Sequence, residues 1–110
     1  MINMNSDQFQ SALQGQGAVL VEFWAPWCVY CRRIAPAMEK IQAQFGNDLL
    51  IGQVNIDDEP LLANQEQIEV IPTFVLYKNG QAVASTVAPE SKAAIESFIR
   101  EGLKSARFMM

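Results

Sequence analysis

The 110-residue chain is predicted to form one α/β domain, with a mixed central β-sheet and helices on both faces. Strand-like apolar segments alternate with segments of helical periodicity, an order that favours right-handed crossovers between parallel strands. The turn sequence at 78–80, Lys-Asn-Gly, separates the last two strand-like segments and predicts an antiparallel hairpin at one edge. Half of the residues are apolar, so a chain of this length can bury a core without disulfide staples.

The first three elements each have a local cause. Ser6 or Asn5 can cap a helix over about 6–14, whose apolar residues lie four apart on one face. An apolar, β-branched run at 18–24 predicts a buried strand. A long helix over about 28–45 carries apolar residues at helical spacing, and a glycine follows its last residue.

The middle of the chain supplies a second strand and the hairpin. The run at 49–56 is apolar enough to lie inside a sheet. Acidic residues and Pro60 then open a short helix to about Gln67, with the negative charges at its positive end. The hairpin strands are predicted at 73–77 and 82–87.

A last helix is predicted from Glu90 to Leu103, with Ile95 and Ile99 turned inward. Residues 105–110 are predicted to be a frayed tail. No repeat, low-complexity segment or linker divides the sequence, so one domain over residues 1–110 is expected.

Charge and hydropathy exclude several classes of function. The net charge is −4 and no basic stripe is present, so no nucleic-acid partner is expected. No apolar stretch is long enough to span a membrane, and the start has no basic region followed by an apolar run, so no secretory signal is expected. These features predict a cytoplasmic protein without a membrane partner.

The only two cysteines, Cys28 and Cys31, are three residues apart at the predicted start of a helix that follows a buried strand. This spacing places both sulfurs on one face of a first helical turn. Free amide N–H groups there stabilise a thiolate, and the second sulfur can close a disulfide ring. Half of a zinc site and an inert buried pair are the alternatives, although zinc usually takes four Cys or His ligands and the chain has no histidine.

Five short motifs follow one another along the chain, namely Phe-Trp-Ala-Pro-Trp-Cys at 23–28, Ala-Pro at 35–36, Asn-Ile-Asp at 55–57, Ile-Pro-Thr at 71–73 and Lys-Asn-Gly at 78–80. Their order is typical of thioredoxins, and the chain resembles that family over nearly its whole length. The resemblance implies a thioredoxin fold, a redox-active dithiol at Cys28 and Cys31, and a cis peptide bond before Pro72.

The resemblance also implies partners. Protein disulfides are the expected substrates, and a flavin-linked thioredoxin reductase is expected to reset the oxidised pair. No bound cofactor or metal is expected, and the protein is expected to act as a monomer that reduces protein disulfides.

Three residues are predicted to carry the chemistry. The sulfur of Cys28 can accept hydrogen bonds from the next amides, which lowers its pKa and makes it the exposed, attacking nucleophile. Cys31 lies one turn inward and resolves the mixed disulfide. Strand alternation places Glu22 on a covered face, and thioredoxins commonly have an Asp there that helps proton transfer to the buried Cys. Gln53 stands where the family often has a Lys partner for that acid.

Four further residues are predicted to bind substrate. Trp27 is expected to form a partly exposed rim, and the backbone at Ile71 and Pro72 is expected to receive an extended substrate strand, as the resemblance implies. Ala88 stands where the family usually has Gly in a loop near the substrate, so its methyl group is expected to narrow the groove.

The residues between the cysteines, Val29 and Tyr30, depart from the Gly-Pro of thioredoxin. Tyr30 is similar to the tyrosine that glutaredoxins have beside the second Cys. Its N–H, which a proline lacks, is expected to donate to the Cys28 sulfur and to make the disulfide more oxidising. A glutathione-linked, glutaredoxin-like oxidoreductase and a redox-independent binding module are the alternative functions.

Overall fold

The computed structural model describes residues 1–15 and 17–108. Its elements are β1 Ile2–Asn3, α1 Ser6–Gln14, β2 Ala18–Trp24, α2 Val29–Phe45, β3 Leu49–Asn55, α3 Pro60–Gln65, β4 Thr73–Lys78, β5 Gln81–Val87 and α4 Lys92–Phe108. A 3-10 turn over Gly46–Asp48 connects α2 to β3.

Within the described residues the strands form one five-stranded mixed sheet in the order β1-β3-β2-β4-β5. The β1–β3 and β2–β3 pairs are parallel, whereas β2–β4 and β4–β5 are antiparallel. Helix α2 connects the parallel strands β2 and β3, and the β4–β5 hairpin forms one edge. The α/β class and the mixed sheet that the sequence predicts are therefore confirmed.

Apolar side chains pack on both faces of this sheet. One core cluster joins the sheet to α2 and α4, and its buried members are Leu20, Ile34, Met38, Ile41, Leu49, Ile51, Phe74, Leu76, Ile95 and Ile99. The other joins the sheet to α1 and α3, and its buried members are Met4, Phe9, Val19, Val21, Phe23, Val54, Leu62, Val75 and Tyr77. Because β2 contributes to both clusters, it is covered on both faces and forms a rigid base for the turn at its carboxyl end.

Local signals fix several element ends. Asn5 caps α1 in a capping box with Gln8, whose backbone N–H donates to the Asn5 Oδ1 at 2.8 Å. At the hairpin, Asn79 and Gly80 have φ values of 54° and 82°, the left-handed conformation that a two-residue turn between twisted strands requires.

The largest differences from the predicted elements are in three places, and the bounds of the other elements differ by at most one residue. The strand β1 was not expected, because two residues are too short to show a periodic pattern, and it forms by pairing with β3. Helix α3 spans only Pro60–Gln65, and α4 begins at Lys92 and continues to Phe108 instead of ending at Leu103. Met109 and Met110, the end of the predicted tail, lie outside the described residues.

Across the part of the chain that the structure describes, each helix falls short of the length and apolar character needed to cross a membrane.

Candidate active site

The two cysteines form a disulfide at the point where β2 leads into α2. Cys28 is the N-cap residue of α2, and Cys31 lies in its first turn, with the two Cα atoms 5.3 Å apart. The chain enters this turn from the buried strand β2, as predicted, so the sheet determines the position of the sulfurs.

Both cysteines are buried in the disulfide form, so the expectation of an exposed Cys28 is wrong for this state. Cys28 is 8% exposed and Cys31 is 3% exposed. Each sulfur covers part of the other when they are bonded, which reduces the exposure of Cys28. Cys28 is nevertheless the more exposed of the two cysteines, and their roles stay predictions.

The hydrogen bond to the Cys28 sulfur comes from a different amide than predicted. The backbone N–H of Cys31 donates to the Cys28 Sγ at 3.2 Å. Cys31 is the third residue of the helix, and its N–H points back at the cap atom, whereas Tyr30 was the expected donor. An active site with Gly-Pro between the cysteines has that third amide as well, so the predicted rise in potential from the Tyr30 N–H loses its structural basis.

Glu22 is a buried carboxyl group in the middle of β2. It is 2% exposed, and burial raises its pKa from 4.5 to about 7. Alternation along β2 places it on the same face as Leu20, which packs with Ile34 of α2, one turn beyond Cys31. Glu22 can therefore exchange a proton near neutral pH beneath the helix that carries the disulfide.

The side chain of Gln53 is directed to another partner. Gln53 is paired with Glu22 across β2 and β3, but its amide nitrogen donates to the Asn3 side-chain oxygen on β1. An amide carries no charge, so Gln53 cannot replace the lysine that the family often has at this position. The raised pKa of Glu22 follows from burial.

Trp27 is 63% exposed and lies immediately before the N-cap cysteine. Its indole N–H donates to Asp57 Oδ2 at 2.9 Å, which connects this exposed ring to the loop after β3. The contact holds a large apolar surface close in sequence to the disulfide, and a docking role for this surface stays a prediction. Asp57 was not singled out as a site residue from the sequence, because the contact joins positions 30 residues apart.

The Ile71–Pro72 peptide bond is cis, as the resemblance implied. Pro72 is buried and Ile71 is half-buried, and both directly precede β4. The Pro72 carbonyl accepts a hydrogen bond from the Ala88 N–H at 2.8 Å. This bond extends the pairing of β4 and β5 by one step and places Ala88 beside the cis-proline segment.

Ala88 is exposed and has a φ of 45°, a left-handed conformation that costs energy for any residue with a Cβ. The sequence did not reveal this strain, although it showed that Ala replaces the family's usual Gly. The structure brings Ala88 to Pro72, and both are predicted substrate-binding residues.

Replacing Ala88 with glycine should raise the free energy of unfolding by about 0.5–1 kcal/mol, because glycine adopts a positive φ without the Cβ penalty. Denaturant titration measures the change. The same substitution at exposed Ala82 in β5 is the control and should destabilise the protein by about 0.5–1 kcal/mol. Equal destabilisation by both substitutions would contradict the strain at Ala88.

Among the described residues, no group of three or more His, Cys, Asp and Glu side chains is arranged as a metal site. The site has a disulfide at a helix N-terminus, a cis-proline segment at the end of β2 that leads into this helix, and a buried carboxyl group of raised pKa. That combination defines a thiol–disulfide oxidoreductase.

Comparison with known proteins identifies the family. The Thioredoxin family model matches residues 1–101, and the chain belongs to the thioredoxin family. Thioredoxin 1 of Synechococcus elongatus is 36% identical over 94 residues, which cover 86% of this chain and 88% of that protein. Thioredoxin of Bacillus subtilis is 34% identical over 98 residues, covering 89% of this chain and 94% of that protein.

Comparison with solved structures agrees with this family assignment. A solved structure of Plasmodium falciparum thioredoxin superimposes with a TM-score of 0.85 at 28% identity, covering 92% of this chain and 98% of that one. The thioredoxin fold predicted from the motifs is therefore confirmed. The protein is a thiol–disulfide oxidoreductase with protein-disulfide reductase activity.

Proposed function

We propose that Cys28 attacks the substrate disulfide and that Cys31 resolves the product. The Cys28 thiolate forms a bond to one substrate sulfur, and the other substrate sulfur leaves as a thiolate. Cys31 then loses its proton and attacks the Cys28 sulfur, which releases the second substrate thiolate. The Cys28–Cys31 disulfide forms, and two electrons pass to the substrate.

The N-cap position of Cys28 is the observation that carries this assignment. A hydrogen bond from the Cys31 N–H and the positive end of α2 both favour a negative charge on the Cys28 sulfur. Cys31 is the less exposed of the two and has no comparable position at the helix start. The thiolate therefore forms first at the more accessible sulfur.

Glu22 is proposed to take the proton that Cys31 loses. A base with a pKa of about 7 is suited to proton transfer at neutral pH. Its place on the sheet face beneath α2 supports this role.

Trp27, Ile71, Pro72 and Ala88 are proposed to form the substrate groove around the sulfurs. The exposed indole of Trp27 supplies an apolar rim. The cis-proline segment and Ala88 supply a second wall, and they lie side by side because the Pro72 carbonyl accepts a hydrogen bond from the Ala88 N–H. An extended protein segment that carries a disulfide fits such a groove.

A flavin-linked thioredoxin reductase is proposed to return the pair to the dithiol. A relative named bifunctional thioredoxin reductase/thioredoxin, from Mycobacterium leprae, supports this partner. It is 37% identical over 87 residues, which cover 79% of this chain and 19% of that protein.

The protein is further proposed to act as a monomer in the cytoplasm. All the proposed catalytic and substrate-binding residues come from one chain, which suits a monomer. A dithiol that cycles in this way suits the reducing cytoplasm, where it would carry electrons to protein disulfides.

The proposed reductase predicts how the oxidised protein is recycled. NADPH with thioredoxin reductase should restore the dithiol of Cys28 and Cys31 faster than glutathione at physiological concentration. Thiol counting at timed intervals measures both reactions. Faster recovery with glutathione would favour the glutaredoxin-like alternative, which Tyr30 suggested from the sequence.

A further inference from the structure

The Tyr30 side chain connects the active-site helix to a loop far away in the sequence. Its hydroxyl donates a hydrogen bond to the Pro89 carbonyl, across 59 residues. The Tyr30 ring is half-buried and packs against the core cluster that α2 shares with α4. The ring is therefore fixed at its base by the core and at its tip by the loop after β5.

That loop is held from two sides. The Ala88 N–H is bonded to the Pro72 carbonyl, and the next residue, Pro89, accepts the bond from Tyr30. Pro89 is buried, whereas Ala88 is exposed. The loop thus bridges the first turn of α2, which carries the disulfide, and the cis-proline segment, which lies at the end of β2 that leads into α2 because Thr73 pairs with Phe23.

The strained backbone of Ala88 fits this arrangement. A residue with a Cβ keeps a positive φ only where its surroundings hold it there. The bonds to Pro72 and from Tyr30 act on Ala88 and on its immediate neighbour, so they restrict the same short segment. Loss of either bond gives Ala88 freedom to move away from the position that it occupies beside Pro72.

We propose that Tyr30 is a positioning residue that sets the substrate selectivity of the enzyme. Its hydroxyl holds the loop at 88–89, so that Ala88 forms a fixed wall of the groove and disfavours substrates with a bulky side chain beside the reactive cystine. This inference rests on the proposed function, which places Ala88 in the groove. The enzyme would select against a bulky substrate side chain because Ala88, when its loop is held in place, cannot move to make room for that side chain.

Two peptide substrates test this role. Both carry the same intramolecular disulfide and differ only in the residue next to the first cysteine, glycine in one and tryptophan in the other. The unaltered enzyme should reduce the glycine peptide with the higher kcat/KM. In Tyr30→Phe, which keeps the ring and removes the hydroxyl, the ratio of the two kcat/KM values should fall about fivefold, the effect of one lost hydrogen bond.

Tyr77→Phe is the matched control. Tyr77 also donates a hydrogen bond from its hydroxyl, but to the Glu66 carboxylate and on the α1–α3 side of the sheet. This change should leave the ratio of the two kcat/KM values as it is in the unaltered enzyme. Ala88→Gly, which removes the methyl group of the wall and leaves the Tyr30 hydroxyl in place, should lower the ratio as Tyr30→Phe does.

An unchanged ratio in Tyr30→Phe, or an equal fall in Tyr77→Phe, would overturn the role of Tyr30. Equal kcat/KM values for the two peptides with the unaltered enzyme would overturn it as well. If the unaltered enzyme reduced neither peptide, the proposed function would fail instead, so the two failures are distinguishable.

Discussion

Replacing Cys28 with serine is expected to abolish disulfide reduction, whereas replacing Cys31 with serine is expected to leave substrates covalently attached to the enzyme. Serine at position 28 cannot form the mixed disulfide. In Cys31→Ser the Cys28 thiolate still attacks, but the mixed disulfide persists because no second thiol displaces it. The N-cap position of Cys28 is the reason for expecting it to be the attacking residue.

Mass spectrometry of each variant after reaction with a disulfide peptide measures the attached mass. The mixed disulfide should accumulate only in Cys31→Ser and should disappear on addition of dithiothreitol. The double Cys-to-Ser variant is the control and should acquire no mass. Accumulation in Cys28→Ser, with none in Cys31→Ser, would reverse the two roles. A double variant that still performed the biological role would support the binding-module alternative.

Replacing Glu22 with glutamine is expected to slow resolution of the mixed disulfide by a factor of about 100 or more at neutral pH, because positioned acid–base groups contribute at least that much. Glutamine has nearly the same shape but cannot accept the proton from Cys31. Stopped-flow measurement of the release of the second substrate thiol gives the rate. An unchanged rate would remove Glu22 from the mechanism.

The same substitution should change how stability depends on pH. The native pKa of Glu22, about 7, lies above the ordinary 4.5, so the native state holds a proton that the unfolded chain has released. The free energy of unfolding therefore falls as the pH rises from 4.5 to 7. A difference of 2.5 in pKa corresponds to about 3 kcal/mol.

Glu22→Gln should remove most of this pH-dependent decrease in the free energy of unfolding. The oxidised variant should then be about 3 kcal/mol more stable than the oxidised unaltered protein at pH 8. Denaturant unfolding between pH 4 and pH 9, roughly the range that brackets both pKa values, measures the difference. The same change at exposed Glu101 is the control and should leave the pH dependence as it was. Equal pH profiles for Glu22→Gln and the unaltered protein would contradict a buried proton at this position.

Local patterns predicted most of the fold because they are properties of short segments. The β-branched run at 18–24 could be placed as a strand, and its bounds are confirmed as Ala18–Trp24. The hairpin turn was predictable because Asn79 and Gly80 tolerate positive φ. The strand β1 could not be predicted in this way, since its two residues form a strand only by pairing with β3.

Some features of the candidate site could likewise be predicted from local sequence patterns, whereas others could not. The spacing of Cys28 and Cys31 showed the dithiol, and alternation along β2 placed Glu22 on a covered face, because both depend on residues close in sequence. The contacts Trp27–Asp57 and Tyr30–Pro89 join residues 30 and 59 positions apart, and neither contact leaves a local pattern.

The sequence by itself determined that this protein is an α/β domain with a redox dithiol at the start of a helix, because strand and helix periodicity and cysteine spacing act over a few residues. Only the tertiary structure decided that the Cys31 amide bonds the Cys28 sulfur, and that Tyr30 and Pro72 together hold the loop at 88–89. These features depend on directions of bonds and on distances between separate elements. Packing of the helices on the sheet sets both.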